Sequence, residues 1–191
     1  DTDTLVLSAP AEAMQLRCEL AMVDSGTASG ARALPAIRNL ALAFSEAKAG
    51  AASAPREQAD AALLGRILDG VPTYSQMVYP DGGNSWCSPT SVSMVLAYWD
   101  RSAEPAETRV RSAVAGVYDP SWGGCGNWSF NMAYAGSRGC DALVARFPSL
   151  SRLEPCIAAG IPVVLSVSWN NDGGRPLIGA PVAKSAGHLK V

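Results

Sequence analysis

The sequence lacks the charge pattern of a protein that binds nucleic acid or a membrane surface. Its 191 residues carry 15 Lys and Arg against 17 Asp and Glu, a formal net charge of −2, with no run of basic residues. Binding to phosphate backbones or anionic lipids requires a concentrated basic patch, so we exclude nucleic acid as a partner. No apolar run approaches the length of about 20 residues that crosses a bilayer, and we expect no membrane insertion.

Patterns typical of metal sites are also missing. The chain has one histidine and five cysteines, without a Cys-x-x-Cys pair. A structural zinc site takes four Cys or His ligands at short spacings, so we expect no metal and no other cofactor. The odd number of cysteines leaves at least one thiol without a partner in the chain. Cys125 and Cys140 each follow a glycine, and they are either a disulfide or buried free thiols.

The composition, 48% hydrophobic and 17% charged, is that of a globular protein, and its pattern changes near residue 50. "AMQLRCELAM" alternates apolar and polar residues from Met14 to Met22, and "NLALAF" alternates again, as half-buried strands do. Two or three strands on their own make a poor hydrophobic core. We therefore predict that residues 1–48 are the last strands of a β-domain whose missing N-terminal strands are their partners. Residues 49–70 are predicted to be a linker and a short amphipathic helix ending at Gly70.

A mixed helix and strand pattern covers residues 71–191. Helices are predicted from Ser88, over about 105–115, near 129–138 and after the capping box "SRLE". "IPVVLSVSW" is the strongest strand, and "GHLKV" begins another. Helices followed by antiparallel strands indicate an α+β domain.

One cysteine lies at the predicted start of a helix, in "NSWCSPTSVSMVLAYW". Ser88 is a candidate cap and Pro89 suits the first helical turn. One apolar face then contains Val92, Val95, Leu96 and Trp99, of which we expect Trp99 to fill the core. The free N–H groups and the dipole at a helix N-terminus favour an anion, which suits a thiolate nucleophile. Cys87 is therefore either a reactive thiol or a small buried hydrophobe.

A thiolate nucleophile usually works with a base, and His188 is the one histidine of the chain. The alternative for His188 is a polar residue at a strand end. Gln76, in "YSQM", is a candidate oxyanion donor together with the Cys87 N–H, with a solvated loop side chain as the alternative. No pair of carboxylates, such as Asp119 and Asp141, forms a recognisable general-acid couple.

The same residues carry a resemblance to a known family. It rests on "VPTYSQMVYPDGGNSWCSPTSVSMVL", "GVYDPSWGGCGNWSFNMAYAGSRG" and "GIPVVLSVSW" with "GHLKV". These segments resemble papain-fold cysteine peptidases related to the bacteriocin-processing, double-glycine-leader peptidases, and more closely the secreted bacterial branch with an N-terminal β-domain. The resemblance implies a papain-like fold, with the nucleophile on a helix that packs against an antiparallel sheet. It also implies that Gln76 is the oxyanion-hole amide, Cys87 the nucleophile and His188 the general base.

The resemblance further implies a substrate groove lined by Trp86, Asn127, Trp128 and Asn131. For Trp128, packing in the core is the alternative. Papain-like sites also hold an Asp or Asn after the histidine, on the following strand, whereas the sequence here ends at Val191. We expect that group and its C-terminal strands to follow Val191. The triad of the sequence given would then be incomplete, which would leave it inactive.

The sequence therefore predicts a thiol-dependent hydrolase of peptide bonds, without cofactor, that acts on peptides or proteins. By resemblance, it would be a secreted or cell-surface protein of a bacterium. Two alternatives stay open. One is a papain-fold module without turnover that binds peptide or cell-wall material, and the other is an acyltransferase that uses the same site.

Overall fold

The computed structural model describes most of the chain after residue 57 and part of the chain before it. The described residues are 5–20, 37, 40, 42, 58–147, 149–174, 176–180 and 182–191. Residues 5–20 are exposed and form neither helix nor strand. The predicted strand from Met14 is therefore wrong as far as residue 20, and Met22 lies outside the described residues. A strand requires a hydrogen-bonded neighbour, and Leu40 and Leu42 of the predicted neighbour are likewise exposed and outside any strand.

The amphipathic helix predicted before Gly70 is also wrong in its described part. The structure has only a 3-10 turn there, Ala61–Leu63, and the Asp60 carboxylate caps it by accepting the Ala62 N–H at 2.9 Å. Gly65 adopts a left-handed conformation, with φ of 76°, which a continuing helix does not allow. The local sequence thus favours a turn over a helix.

The described residues after position 86 form four α-helices, and the three longest were predicted near their positions. They are α1 (Cys87–Asp100), α2 (Ala106–Val117), α3 (Trp128–Ser137) and α4 (Glu154–Ala158). A 3-10 turn, Leu150–Leu153, precedes α4. The predicted capping box is wrong, because α4 begins at Glu154 after Leu153 with no side-chain cap bond, and the Glu154 N–H bonds to the Ser151 carbonyl. The Glu154 carboxylate accepts the backbone N–H of Asp60 at 3.1 Å.

Helices α1 and α2 form the centre of the core. Its buried apolar residues include Val92, Leu96, Val110, Ala113 and Val117. Trp99 is 50% exposed and packs edge-on against Tyr98, so the prediction that it fills the core is wrong. Trp99 is the penultimate residue of α1, and its high exposure shows that the covering elements end before it. Of the predicted apolar face, Val92 and Leu96 are buried, whereas Val95 is only partly buried.

An ion pair joins the end of α1 to the start of α2. Arg109 is buried, and its guanidinium donates to both carboxylate oxygens of Asp100, at 2.6 and 2.8 Å. The Ser102 carbonyl accepts a third bond at 3.3 Å. The hydrogen bonds from Arg109 are the largest cause that lowers the pKa of Asp100, to about 2. The end of α1 is thereby fixed to the first turn of α2.

The two described strands, β1 (Leu165–Asn170) and β2 (Lys184–Lys190), form an antiparallel pair. Leu165, Val167 and Trp169 alternate with exposed residues on β1, as predicted. Strand β2 begins at Lys184, so the segment "GHLKV" ends the strand instead of beginning it. Helix α1 packs against β2, and the Ser91 hydroxyl donates to the Leu189 carbonyl at 3.1 Å. The α+β class is confirmed.

The contact between Arg109 and Asp100 predicts an acid-dependent loss of stability. The folded pKa of Asp100 lies below its ordinary value of 3.8, so the pair stabilises the fold above pH 3.8 and loses that effect as the pH falls through about 2. Urea unfolding should therefore show that Asp100→Asn is less stable than the wild type at neutral pH, with the difference vanishing near pH 2. Asp172→Asn, in an exposed turn, is the control and should change little at any pH. A difference that stays constant with pH would contradict this account.

Candidate active site

Cys87 is the first residue of α1, and its thiol is half-buried. The helix start has no side-chain cap, and Trp86 precedes it with its N–H bonded to the Gly82 carbonyl at 3.0 Å. The prediction that Cys87 stands at a helix N-terminus is confirmed. The prediction that Ser88 caps the helix is wrong, because the preceding turn starts α1 one residue earlier. Ser88 is instead fully buried and donates to Asn131 Oδ1 at 2.6 Å.

His188 lies on β2, opposite Val167 of β1. The next residue, Leu189, accepts the bond from Ser91, which lies one turn beyond Cys87 on α1. The early part of the Cys87 helix is thus fastened to the strand of His188. No hydrogen bond joins Cys87 and His188 themselves in the described part of the chain, and their catalytic pairing stays a prediction.

The side chain of His188 sits against an aromatic ring. It meets Trp169 edge-on, with 5.7 Å between ring centroids, and Lys190 Nζ lies 5.4 Å from the same ring. Burial, and to a lesser degree the charge of Lys190, lowers the pKa of His188 below its usual value of 6.5. The imidazole is therefore mostly neutral at neutral pH, the form in which a general base accepts a proton.

A β-bulge determines which way His188 faces. Val167 pairs with His188 and Trp169 pairs with Ser185, so two positions on β1 correspond to three on β2. Because side chains alternate along a strand, one extra residue reverses the face of everything beyond it. The bulge thus puts His188 on the face of Val167 and Trp169. Gly187, directly before the histidine, is the sequence signal that indicates such a bulge.

Gln76 begins a 3-10 turn, Gln76–Val78, in the segment that leads to Cys87. Its side-chain Nε2 donates to the carbonyl of Gly83. The backbone is tight at Gly83, because a Cβ there would lie 2.8 Å from the Tyr79 oxygen and 2.9 Å from the Gln76 oxygen. One of the two amide hydrogens of Gln76 is therefore engaged within this segment, residues 76–86, which we call the Gln76 loop. The second hydrogen is left for another acceptor.

The two tryptophans predicted to bind substrate lie at helix starts. Trp86 is half-buried against Tyr79, with ring centroids 5.5 Å apart. Trp128 is the first residue of α3 and is 40% exposed, so the alternative that it packs in the core is wrong. Their contact with a substrate stays a prediction.

The two asparagines predicted to line the groove are buried and hydrogen-bonded inside the fold. Asn127 caps α3 by accepting the Ser129 N–H at 3.0 Å, and its amide donates to Asp119 at 2.8 Å. Asn131 accepts the bond from Ser88, next to the nucleophile candidate. Their role in substrate binding stays a prediction, and the structure adds that Asn131 joins α3 to the start of α1, whereas Asn127 joins α3 to Asp119.

Asp119 anchors this polar chain and was missed as a structural residue. Its carboxylate accepts the N–H of Ser121 at 2.9 Å and also the Ser121 hydroxyl, besides the amide of Asn127. These bonds, first that of the Ser121 hydroxyl and then that of Asn127, lower the pKa of the buried Asp119. The "DPS" segment carries the signal, since an aspartate often bonds to the backbone two residues on.

The thiols of the chain differ in their environment. All five cysteines are free, so Cys125 and Cys140 do not form the disulfide that the sequence left open. Cys125 is buried and its S–H donates to the Val114 carbonyl at 3.6 Å. Burial raises the pKa of both Cys125 and Cys140, which makes their thiolates scarce at neutral pH.

The part of the chain that the structure describes holds neither a metal-binding cluster nor a membrane-spanning helix. No group of three or more His, Cys, Asp or Glu residues there could hold a metal ion. Within the same residues, no helix combines the length and the apolar character needed to cross a bilayer.

The comparison with protein families gives one match. Residues 68–191 match the model described as the Peptidase_C39 like family. No curated protein and no solved structure matches the chain. The matched range contains α1 to α4, both strands, and the three predicted catalytic residues Gln76, Cys87 and His188. The chain therefore belongs to the Peptidase_C39-like family, which relates it to the C39-type cysteine peptidases.

Proposed function

We propose that this protein hydrolyses peptide bonds, with Cys87 as nucleophile, His188 as general base and Gln76 as an oxyanion donor. The observation that supports the proposal best is the junction of α1 with β2. The helix that begins at Cys87 is hydrogen-bonded, one turn later, to the residue that follows His188. A Cys at a helix start and a mostly neutral His on the adjacent strand are the two groups that thiol catalysis requires.

In the first half of the reaction, His188 takes the proton of the Cys87 thiol. The sulfur attacks the substrate carbonyl carbon, a C–S bond forms, and the carbonyl oxygen becomes an oxyanion. The free hydrogen of the Gln76 amide and the Cys87 N–H stabilise that oxyanion. The C–N bond then breaks while His188 returns the proton to the leaving amine.

In the second half, His188 takes a proton from water and the hydroxide attacks the thioester carbonyl. The C–S bond breaks, the acid product leaves, and Cys87 recovers its proton. If an amine entered in place of water, the same site would transfer the acyl group. Without acyl formation, the fold would serve as a binding module. The proposed substrate is a peptide or protein, and the proposed location is the surface or exterior of a bacterium, as the sequence resemblance implies.

The first prediction concerns the reactivity of Cys87. With iodoacetamide at neutral pH, Cys87 should be alkylated at least about 10-fold faster than Cys125 and Cys140, two thiols whose pKa is raised by burial. Peptide mapping by mass spectrometry assigns the site. Cys87→Ser should remove the fast reaction, whereas Cys156→Ser, a change at another half-buried thiol, should leave it intact. Equal labelling of all these thiols would favour a binding module.

The fate of an acyl group on Cys87 distinguishes a hydrolase from an acyltransferase. With the full-length protein, including any orienting Asp or Asn that follows Val191, p-nitrophenyl acetate should release one p-nitrophenolate per chain in a burst and leave an acetyl group on Cys87. Loss of that acetyl group to water supports a hydrolase. Faster loss to added glycinamide, with formation of the acetylated amide, supports the acyltransferase instead.

The second prediction concerns the protonation of His188. Because the chain has one histidine, its ring proton signal can be followed by NMR without ambiguity. The titration midpoint should lie below 6.5, and Lys190→Gln should move it upward by removing a nearby positive charge. Lys184→Gln, at the other end of β2, is the matched control and should have less effect. A midpoint above 6.5 in the wild type would argue against the neutral imidazole.

The third prediction tests Gln76. Gln76→Ala should slow acylation of Cys87 by p-nitrophenyl acetate about 10²- to 10³-fold, the effect typical of a lost oxyanion donor. Alkylation by iodoacetamide forms no oxyanion and should keep its rate. A parallel fall of both rates would show that Gln76 holds the thiol in place instead of stabilising the intermediate.

A further inference from the structure

We infer that Arg111, on α2, is a positioning residue that holds the Gln76 loop in the shape needed to stabilise the oxyanion. The inference rests on the proposed function, and it adds a residue that touches neither the thiol nor the proposed oxyanion donor. Arg111 contacts the loop at Tyr79, Asp81 and Trp86.

The first contact is a two-pronged ion pair. Arg111 donates from its two terminal nitrogens to the two oxygens of Asp81, at 2.7 and 3.4 Å. Its Nε donates to Glu107, one turn earlier on α2, at 2.9 Å. The bond to Arg111 is the main cause that lowers the pKa of Asp81. The guanidinium is thus oriented from its own helix and directed at the loop.

The second contact is with two aromatic rings. The guanidinium carbon of Arg111 lies 5.7 Å from the ring centroid of Tyr79 and 5.7 Å from that of Trp86. These rings also contact each other. A cation over aromatic faces is attracted to both, so one side chain draws together the two residues that flank the tightest part of the loop.

Hydrogen bonds and chain connectivity within the Gln76 loop link these contacts to the two groups proposed to bind the oxyanion. The Tyr79 carbonyl accepts the Gly83 N–H at 2.8 Å, and Gly83 in turn accepts the amide of Gln76. At the other end, Trp86 directly precedes Cys87, whose N–H is the second proposed donor. Movement of Tyr79 or Trp86 would therefore displace both donors.

Because Arg111 is partly exposed, its effect on the reaction can be distinguished from its effect on the stability of the fold. Its side chain is 43% exposed, and that of Asp81 is 52% exposed. Ion pairs between side chains as exposed as these contribute little to folding. A displacement of about 1 Å in a catalytic group, by contrast, can reduce a rate about 10²-fold. Replacing Arg111 should therefore affect the reaction far more than the melting temperature.

The experiment compares Arg111→Gln with a matched arginine elsewhere. Arg138 directly follows α3, is also exposed, lies 5.3 Å from the ring centroid of Tyr134 and bonds to its hydroxyl, and takes no part in the loop contacts described above. Arg111→Gln should slow acylation of Cys87 by p-nitrophenyl acetate about 10- to 100-fold and change iodoacetamide alkylation by less than about twofold. Arg138→Gln should leave both rates unchanged. Arg111→Lys should also slow acylation, because the lysine ammonium can neither form the two-pronged bond to Asp81 nor stack on the aromatic rings as a guanidinium does.

Two further measurements establish the route of the effect. In the double variant Arg111→Gln with Gln76→Ala, the further fall in acylation below that of Gln76→Ala alone should be smaller than the fall that Arg111→Gln causes by itself, because part of the effect of Arg111 acts through the Gln76 donor. Hydrogen exchange of the peptide covering 76–87 should be faster in Arg111→Gln than in the wild type, and unchanged in Arg138→Gln.

Several results would overturn the inference. Unchanged acylation in Arg111→Gln would do so, even with faster exchange of the loop. So would an equal fall in acylation and alkylation accompanied by a large drop in melting temperature, which would make Arg111 a residue of general stability. Failure of the proposed function has a different signature, since the wild-type chain itself would then show no acylation that depends on Cys87.

Discussion

The bond from the Ser91 hydroxyl to the Leu189 carbonyl is the contact on which the proposed site depends. It joins two parts of the chain that are 98 residues apart, and it does so within one turn of Cys87 and one residue of His188. Most buried hydroxyls in folded proteins are hydrogen-bonded, because an unpaired one costs free energy. In the first turns of α1, Ser88, Ser91 and Ser93 are all buried and all donate. Small polar residues thus let other elements approach the helix closely at the end that carries the thiol.

Much of the α+β domain could be predicted from the sequence, because its signals are local. The 3.6-residue period of α1 and the alternation of Leu165, Val167 and Trp169 depend only on neighbouring residues. The errors concern features that need a partner. Residues 5–20 pair with no strand among the residues that the structure describes, and Trp99 lies beyond the elements that cover α1.

The candidate catalytic residues could be proposed because their types are rare in the chain. One histidine, and one cysteine at a helix start, leave few combinations. The supporting residues carried no such signal. Arg111 and Asp81 are 30 residues apart, and one arginine among 15 basic residues is not distinctive until the fold brings it to the loop. The pairing register of β2 could not be predicted either, since the pattern of a strand does not show which residue of the neighbouring strand each position faces.

Because of that register, insertions and deletions should have different effects within β2 and in the connection that precedes it. Between Asn170 and Lys184 the chain leaves the sheet and returns, so residues gained or lost there need not alter the pairing of the strands. Between Ser185 and His188, a single residue gained or lost would turn the imidazole to the opposite side of the sheet. Natural variants of this fold should therefore differ in length in the connection between the strands, while the spacing from Ser185 to His188 is kept constant.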